Sequence, residues 1–214
     1  MTKPRVLLAD DHTLVLEGFR KLLQDECTLV GMAEDGRTLL ELAAKLEPDI
    51  ILLDISMPRL NGIDAARRLK QLLPSVKLIF VTMHADPAYV NAAFKAGASA
   101  YLLKRSALDE LGQAIRAVLA GNCYVTPLVT KDLIDVMVKG KPQPVSNLDD
   151  LTIRQKEVLQ LLAEGHSTKD IARLLEISTR TVEFHKGQIM DQLRLHSTAE
   201  LIRYALTHGL ITAS

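Results

Sequence analysis

Four places in this 214-residue chain carry side chains that could handle a phosphoryl group: Asp10-Asp11, Asp54, Thr82 and Lys104. Each follows a short apolar run, and in an open parallel sheet the residues just beyond the strand ends share one edge, where ligands bind. Three carboxylates gathered there repel one another unless a cation sits among them, and a small set of hard oxygen ligands suits hydrated Mg²⁺. Lys104 adds a second positive charge. A carboxylate held beside such a metal can attack phosphorus, with the metal and Lys104 balancing charge on the equatorial oxygens and Thr82 offering a hydroxyl. Taken singly, each Asp also reads as a turn former or helix cap. Together the set reads as a phosphoryl-accepting site centred on Asp54.

The elements that must position these residues are legible as alternation. From Arg5 to Gly121, apolar runs at Arg5–Ala9, Leu29–Glu34, Asp49–Leu53, Lys77–Val81 and Ala100–Leu102 read as strands. Amphipathic patterns at 13–24, 37–46, 62–72, 87–96 and 107–119 read as the intervening helices. Asp86-Pro87 places a cap before a proline in the first helical turn, Gly97 follows a helix, and Ser106 with Asp109 reads as a capping box. The fold class is therefore α/β, a doubly wound five-stranded parallel sheet over residues 1–121.

The alternation stops after Gly121. Residues 122–147 read as a linker with one possible helix, Leu128–Val138, before Gly140-Lys141-Pro142-Gln143-Pro144, whose prolines favour extended chain. From 148 to 214 only helical patterns remain, at 152–163, 168–175, 179–193 and 197–208, and the short break at Glu176-Ile177-Ser178 gives helix-turn-helix spacing. Lys plus Arg and Asp plus Glu both number 26, and residues 146–214 hold eight basic against nine acidic residues, so bulk charge lends no support to nucleic-acid binding. Cys27 and Cys123 are far apart and lie in no metal-ligand spacing, as in a reducing compartment. No signal-like or membrane-spanning apolar run is present, so a soluble, cytoplasmic protein with no membrane partner is expected.

Residues 4–121 resemble the response-regulator receiver family. The resemblance is carried by Leu8-Ala9-Asp10-Asp11-His12, Leu52-Leu53-Asp54-Ile55-Ser56-Met57-Pro58-Arg59-Leu60-Asn61-Gly62, Val81-Thr82 and Tyr101-Leu102-Leu103-Lys104. It implies phosphorylation of Asp54 by a histidine kinase, with Mg²⁺ held by Asp10, Asp11, Asp54 and the Ser56 backbone carbonyl. It also makes Thr82 and Tyr101 a switch pair, in which the hydroxyl moves toward the phosphoryl group as the ring turns inward. The alternative for Tyr101 is an edge-strand aromatic covering the sheet. Arg105 stands where many receivers carry proline, which argues against a cis peptide there.

Residues 148–210 resemble the LuxR-type DNA-binding domain of the NarL/FixJ response regulators. The matching residues are Leu151-Thr152-Ile153-Arg154, Glu157-Val158-Leu159, Gly165-His166-Ser167-Thr168-Lys169-Asp170-Ile171-Ala172, Leu175-Glu176-Ile177-Ser178, Thr181-Val182-Glu183-Phe184-His185, Ile189 and Leu193. Ile171, Leu174, Leu175, Val182, Ile189 and Leu193 recur at helical spacing and should form its core. Ser167 and Ser178 read as N-caps. If 179–193 is the recognition helix, Thr179, Arg180 and Lys186 reach phosphates while Glu183, Phe184 and Gly187 face base edges. Many relatives carry basic residues at one or more of the positions held here by Glu183, Gly187 and Gln192.

The combined expectation is a two-component transcription factor rather than an enzyme, binding double-stranded DNA as a homodimer. Helix 197–208 could supply the dimer contact or pack only within its own domain. A phosphatase with an aspartyl nucleophile would need a second Asp two residues after Asp54, where Ser56 stands. A phosphorylation-controlled adaptor whose C-terminal domain binds a protein partner is the other alternative, favoured by the acidic balance of that domain.

Overall fold

The structure, a computed structural model, describes residues 3–130, 133, 151–207 and 210. The described residues fall mainly into two compact units, the first built from residues 3–57 and 61–130 and the second from residues 151–207. In the first, β1 (Arg5–Ala9), β2 (Thr28–Ala33), β3 (Ile50–Leu53), β4 (Lys77–Thr82) and β5 (Ala100–Leu103) alternate with five helices. These are α1 (Thr13–Leu23), α2 (Gly36–Leu46), α3 (Gly62–Leu72), α4 (Pro87–Lys95) and α5 (Ala107–Leu119). A sixth strand, β6 (Tyr124–Val125), completes an all-parallel sheet of order β2-β1-β3-β4-β5-β6.

Burial on both faces explains why the strands are almost continuously apolar rather than alternating. One face sends Val6, Leu8, Ile50, Leu52, Ile79, Val81 and Leu102 into a core closed by Leu16 and Phe19 of α1 and Leu111, Ile115 and Val118 of α5. The alternate residues Leu7, Ile51, Leu53, Leu78, Phe80 and Tyr101 are equally buried, on the side of α2, α3 and α4.

The doubly wound class is borne out, with two differences in detail. The sheet has six strands, because Tyr124–Val125, in the stretch read as linker, pairs with Ala100 and Tyr101. Two residues are too short for a periodic pattern to register. The capping box at Ser106 and Asp109 does not form: the Ser106 hydroxyl donates to the Leu103 carbonyl at 3.2 Å and meets the Thr126 hydroxyl at 3.2 Å. The Glu110 carboxylate in turn accepts from Thr126 Oγ1 at 2.9 Å and from the Tyr124 hydroxyl at 3.1 Å, fastening β6 to α5. All described peptides are trans, including the one after Lys104. Of the helix expected at Leu128–Val138, residues 128–130 and 133 are helical. The remainder and the Gly140–Pro144 stretch lie outside the described residues.

The second unit contains α6 (Ile153–Ala163), α7 (Thr168–Leu174), α8 (Thr179–Leu193) and α9 (Thr198–Thr207). Thr152 and Gln155 form a reciprocal capping box at α6, and Ser167 and Ser178 accept from the backbone amides of Asp170 and Thr181, capping α7 and α8 as their side-chain chemistry predicts. Ile171, Leu175, Val182, Ile189 and Leu193 meet Val158, Leu159, Leu201 and Ala205 in one core, with Leu174 at its margin. Leu201 and Ala205 thus serve their own domain, while Ala199 and Leu206 of α9 stay exposed.

Candidate functional site

Sheet order reverses between β1 and β3, the switch point where an open α/β sheet leaves a crevice. In-register pairing of Ala9 with Leu53 makes Asp10 and Asp54 neighbours beyond the strand ends, and the Asp54 amide donates to the Ala9 carbonyl at 2.9 Å. Pairing of Thr82 with Leu103 brings the last two residues alongside, the Lys104 amide donating to the Thr82 carbonyl at 2.8 Å. Lys104 Nζ then lies 2.6 Å from Asp10 Oδ2 and 2.8 Å from Asp54 Oδ2. Asp54 Oδ1 accepts from the Ile55 amide at 2.6 Å.

Asp10 and Asp54 are each only 3% exposed, so their charges are held in a poorly solvated cleft. Burial pushes the Asp10 carboxyl above its ordinary pKa, the Lys104 hydrogen bond opposes that rise, and repulsion from Asp54 adds to it. For Lys104, burial disfavours the cation, but Asp54 and Asp10 outweigh it and raise its pKa above that of an ordinary lysine. Asp11 is exposed at the mouth, and His12 Nδ1 stands 2.7 Å from Asp11 Oδ1 and 3.1 Å from Asp10 Oδ1. One donor atom from each of Asp10, Asp11, His12 and Asp54 can be enclosed within 4.8 Å, a spacing and an oxygen-rich chemistry that fit a hard divalent cation.

Thr82 is fully buried at the same edge. Tyr101 is also fully buried, its ring offset from Phe80 with centroids 6.4 Å apart and its hydroxyl donating to the His84 carbonyl at 2.8 Å. Its ring therefore points inward, and β6 keeps β5 from being the edge strand of the alternative reading. Burial raises the Tyr101 phenol pKa, keeping it a donor. Ser56 is half-buried, and its hydroxyl bonds His84 Nε2 at 2.8 Å, while the His84 ring stacks on Tyr89 of α4 at 4.2 Å. His84 belongs to none of the sequence motifs that point to the site. Its signal was positional, because it lies two residues beyond Thr82 as Ser56 lies two beyond Asp54. Gly62 leaves room for the Asp54 backbone, since a Cβ there would stand 1.9 Å from the Asp54 carbonyl oxygen.

The second cluster of candidates lies on α8. Val182, Ile189 and Leu193 turn inward, leaving Thr179, Arg180, Glu183, Phe184 and Gly187 exposed and Lys186 half-buried. Phe184 is 60% exposed, unusual for a ring on a helix that has a core to join. Glu183 Oε1 accepts from Thr168 Oγ1 of α7 at 2.7 Å, a partner that one-dimensional spacing does not reveal. A Cβ on Gly187 would meet nothing within 4 Å, so the domain's own packing does not require glycine there.

Two family models match the chain, the response regulator receiver domain over residues 6–116 and the luxR family of bacterial regulatory proteins over residues 149–205. The chain belongs to the response regulators, and among them to the NarL/FixJ family, with a receiver domain followed by a LuxR-type DNA-binding domain. It is 36% identical over 212 residues to the transcriptional regulatory protein MctR of Rhizobium johnstonii, covering 98% of this chain and 96% of the relative. It is 34% identical to the oxygen regulatory protein NreC of Staphylococcus carnosus, covering 97% and 99%. Among solved structures it is similar to RcsB of Salmonella enterica serovar Typhimurium bound to a promoter in the presence of phosphomimetic BeF3-. That match has a TM-score of 0.61 and 29% identity and covers 95% of this chain and 98% of the other.

Two glycines make opposite predictions. Gly62→Ala forces a methyl group into the Asp54 backbone and should destabilise the first domain by about 3 kcal/mol or more, read from urea unfolding. Gly187→Ala relieves a helix-interior glycine with open space around it and should stabilise the second domain by roughly 0.5–1 kcal/mol in the same assay.

Proposed function

We propose that Asp54 accepts a phosphoryl group from the phosphohistidine of a partner histidine kinase, and that its phosphorylation controls binding of the C-terminal domain to duplex DNA and hence transcription. The observation that carries this reading is the Lys104 ammonium set between the buried carboxylates of Asp10 and Asp54 at the sheet's switch point. An Asp54 oxygen attacks phosphorus as the phosphorus–nitrogen bond breaks and its electron pair returns to the donor imidazole. Lys104 lies beside Asp54, and Thr82 ends the next strand at the same edge, so that their ammonium and hydroxyl serve the transferred group's oxygens; water is scarce because both carboxylates are buried. Asp10, Asp11, Asp54 and the Ser56 backbone carbonyl would hold Mg²⁺, which when bound neutralises phosphoryl charge.

Tyr101 and Thr82 form the switch, a two-state element biased by phosphorylation. The receiver body runs past Gly121 through β6, and residues 148–214 form the output domain. In that domain Thr179, Arg180 and Lys186 contact phosphates, and Glu183, Phe184 and Gly187 approach base edges. Because residues 146–214 carry a net charge of −1, we propose that affinity comes from two copies on adjacent half-sites. The protein then acts in the cytoplasm as a regulator rather than a turnover enzyme. Among the described residues no helix is long and apolar enough to cross a membrane.

Incubation with a small phosphodonor and Mg²⁺ should add one phosphoryl group by intact mass to the wild type and none to Asp54→Asn. Equal labelling of both would remove Asp54 from the role. Duplex affinity should fall steeply with salt and weaken in Lys186→Ala. Flat or absent DNA binding, with a protein partner recovered by the phosphorylated form, would favour the adaptor alternative.

A further inference from the structure

Thr168 opens α7 and Glu183 lies in the second turn of α8, so their 2.7 Å hydrogen bond joins the two helices of the helix-turn-helix at its exposed side. Glu183 makes no ion pair among the described residues. It projects from the same exposed face as Phe184 and Gly187, opposite the buried Val182, Ile189 and Leu193. A lone carboxylate on a face that approaches polyphosphate repels it, so its presence there is productive only where it meets a donor. An unrestrained glutamate also samples many rotamers, all but one of which must be given up when it binds. The threonine hydroxyl occupies Oε1 and fixes the side chain, which leaves Oε2 as an oriented acceptor.

We propose that Glu183, held by Thr168 as a positioning residue, selects a cytosine in the major groove of each half-site. This deepens, and rests on, the DNA-binding reading of α8. A carboxylate only accepts, and the donors in the major groove are cytosine N4 and adenine N6. Adenine places its N7 acceptor beside N6, where it repels the carboxylate; cytosine has an apolar C5–H edge beside N4. Phe184, next along the helix and 60% exposed, supplies a ring for such an apolar edge. Gly187, one turn on, has open space at its Cβ position and lets the groove floor come close. The same bond could instead merely brace α7 against α8, in which case Glu183 would contribute stability and no base preference.

The test uses the full-length chain with phosphodonor and Mg²⁺, selecting from random duplex DNA and then titrating the selected site and its single-pair substitutions. Wild type should prefer cytosine at one pair of each half-site by about tenfold over the other bases. Thr168→Ser should retain that preference. Thr168→Val should reduce it to about twofold or less at that pair alone, leaving discrimination elsewhere intact. Glu183→Gln should move the preference to adenine, because a carboxamide pairs with both N6 and N7. Selection in which no pair responds to Glu183→Gln, or full cytosine preference in Thr168→Val, overturns the inference alone. A uniform loss of affinity in Thr168→Val with a lowered thermal midpoint also overturns it, in favour of the bracing role. A wild type that selects no sequence overturns the DNA-binding reading together with it.

Discussion

Everything in the first domain converges on two buried carboxylates and the one ammonium between them. Asp10 and Asp54 end adjacent strands, and without Lys104 their mutual repulsion in a poorly solvated cleft would oppose closing the sheet at β1 and β3. The arrangement is one of compensation rather than attraction alone: burial disfavours the charges of Asp10 and Lys104, and the hydrogen bond between them offsets part of that cost. A site poised in this way is sensitive to an added charge. A phosphoryl group on Asp54 would change which anion the ammonium faces, and Thr82, at the same sheet edge, belongs to the strand whose following loop supplies the acceptor for Tyr101.

That loop links the site to its surroundings. His84 bonds Ser56 on one side, stacks on Tyr89 of α4 on the other, and receives the Tyr101 hydroxyl through its carbonyl. One residue thus touches the β3 loop, α4 and β5. A shift of the Thr82 segment would therefore bear on contacts to the β3 loop, α4 and β5 together.

Strand-end acids and lysine were legible in the sequence because parallel strands put their ends on one edge, a rule that converts one-dimensional position into proximity. The order of elements was legible for the same reason, through apolar runs broken by caps such as Asp86-Pro87. The remainder depended on contacts that spacing does not encode. Ser106 had the residues of a capping box, but Leu103 and Thr126 compete for its hydroxyl. Tyr124–Val125 is too short to show periodicity and is held by Glu110 from a helix earlier in the chain. Thr168 and Glu183 are fifteen positions apart and meet only once α7 and α8 cross. In the second domain the core was readable from helical spacing, whereas the partner of an exposed acid was not.

The two-residue β6 has a consequence for the sheet as a colloidal object. Without it, the apolar β5, Ala100–Leu103, would present an unpaired flank of backbone donors and acceptors to any other extended chain. Such a flank is a template for edge-to-edge growth, and short edge strands are one way proteins blunt it. Glu110, by holding Tyr124 and Thr126, keeps that guard in place at Ala100 and Tyr101. The carboxylate that holds β6 to α5 thereby helps to shield half of an apolar strand from edge-to-edge pairing.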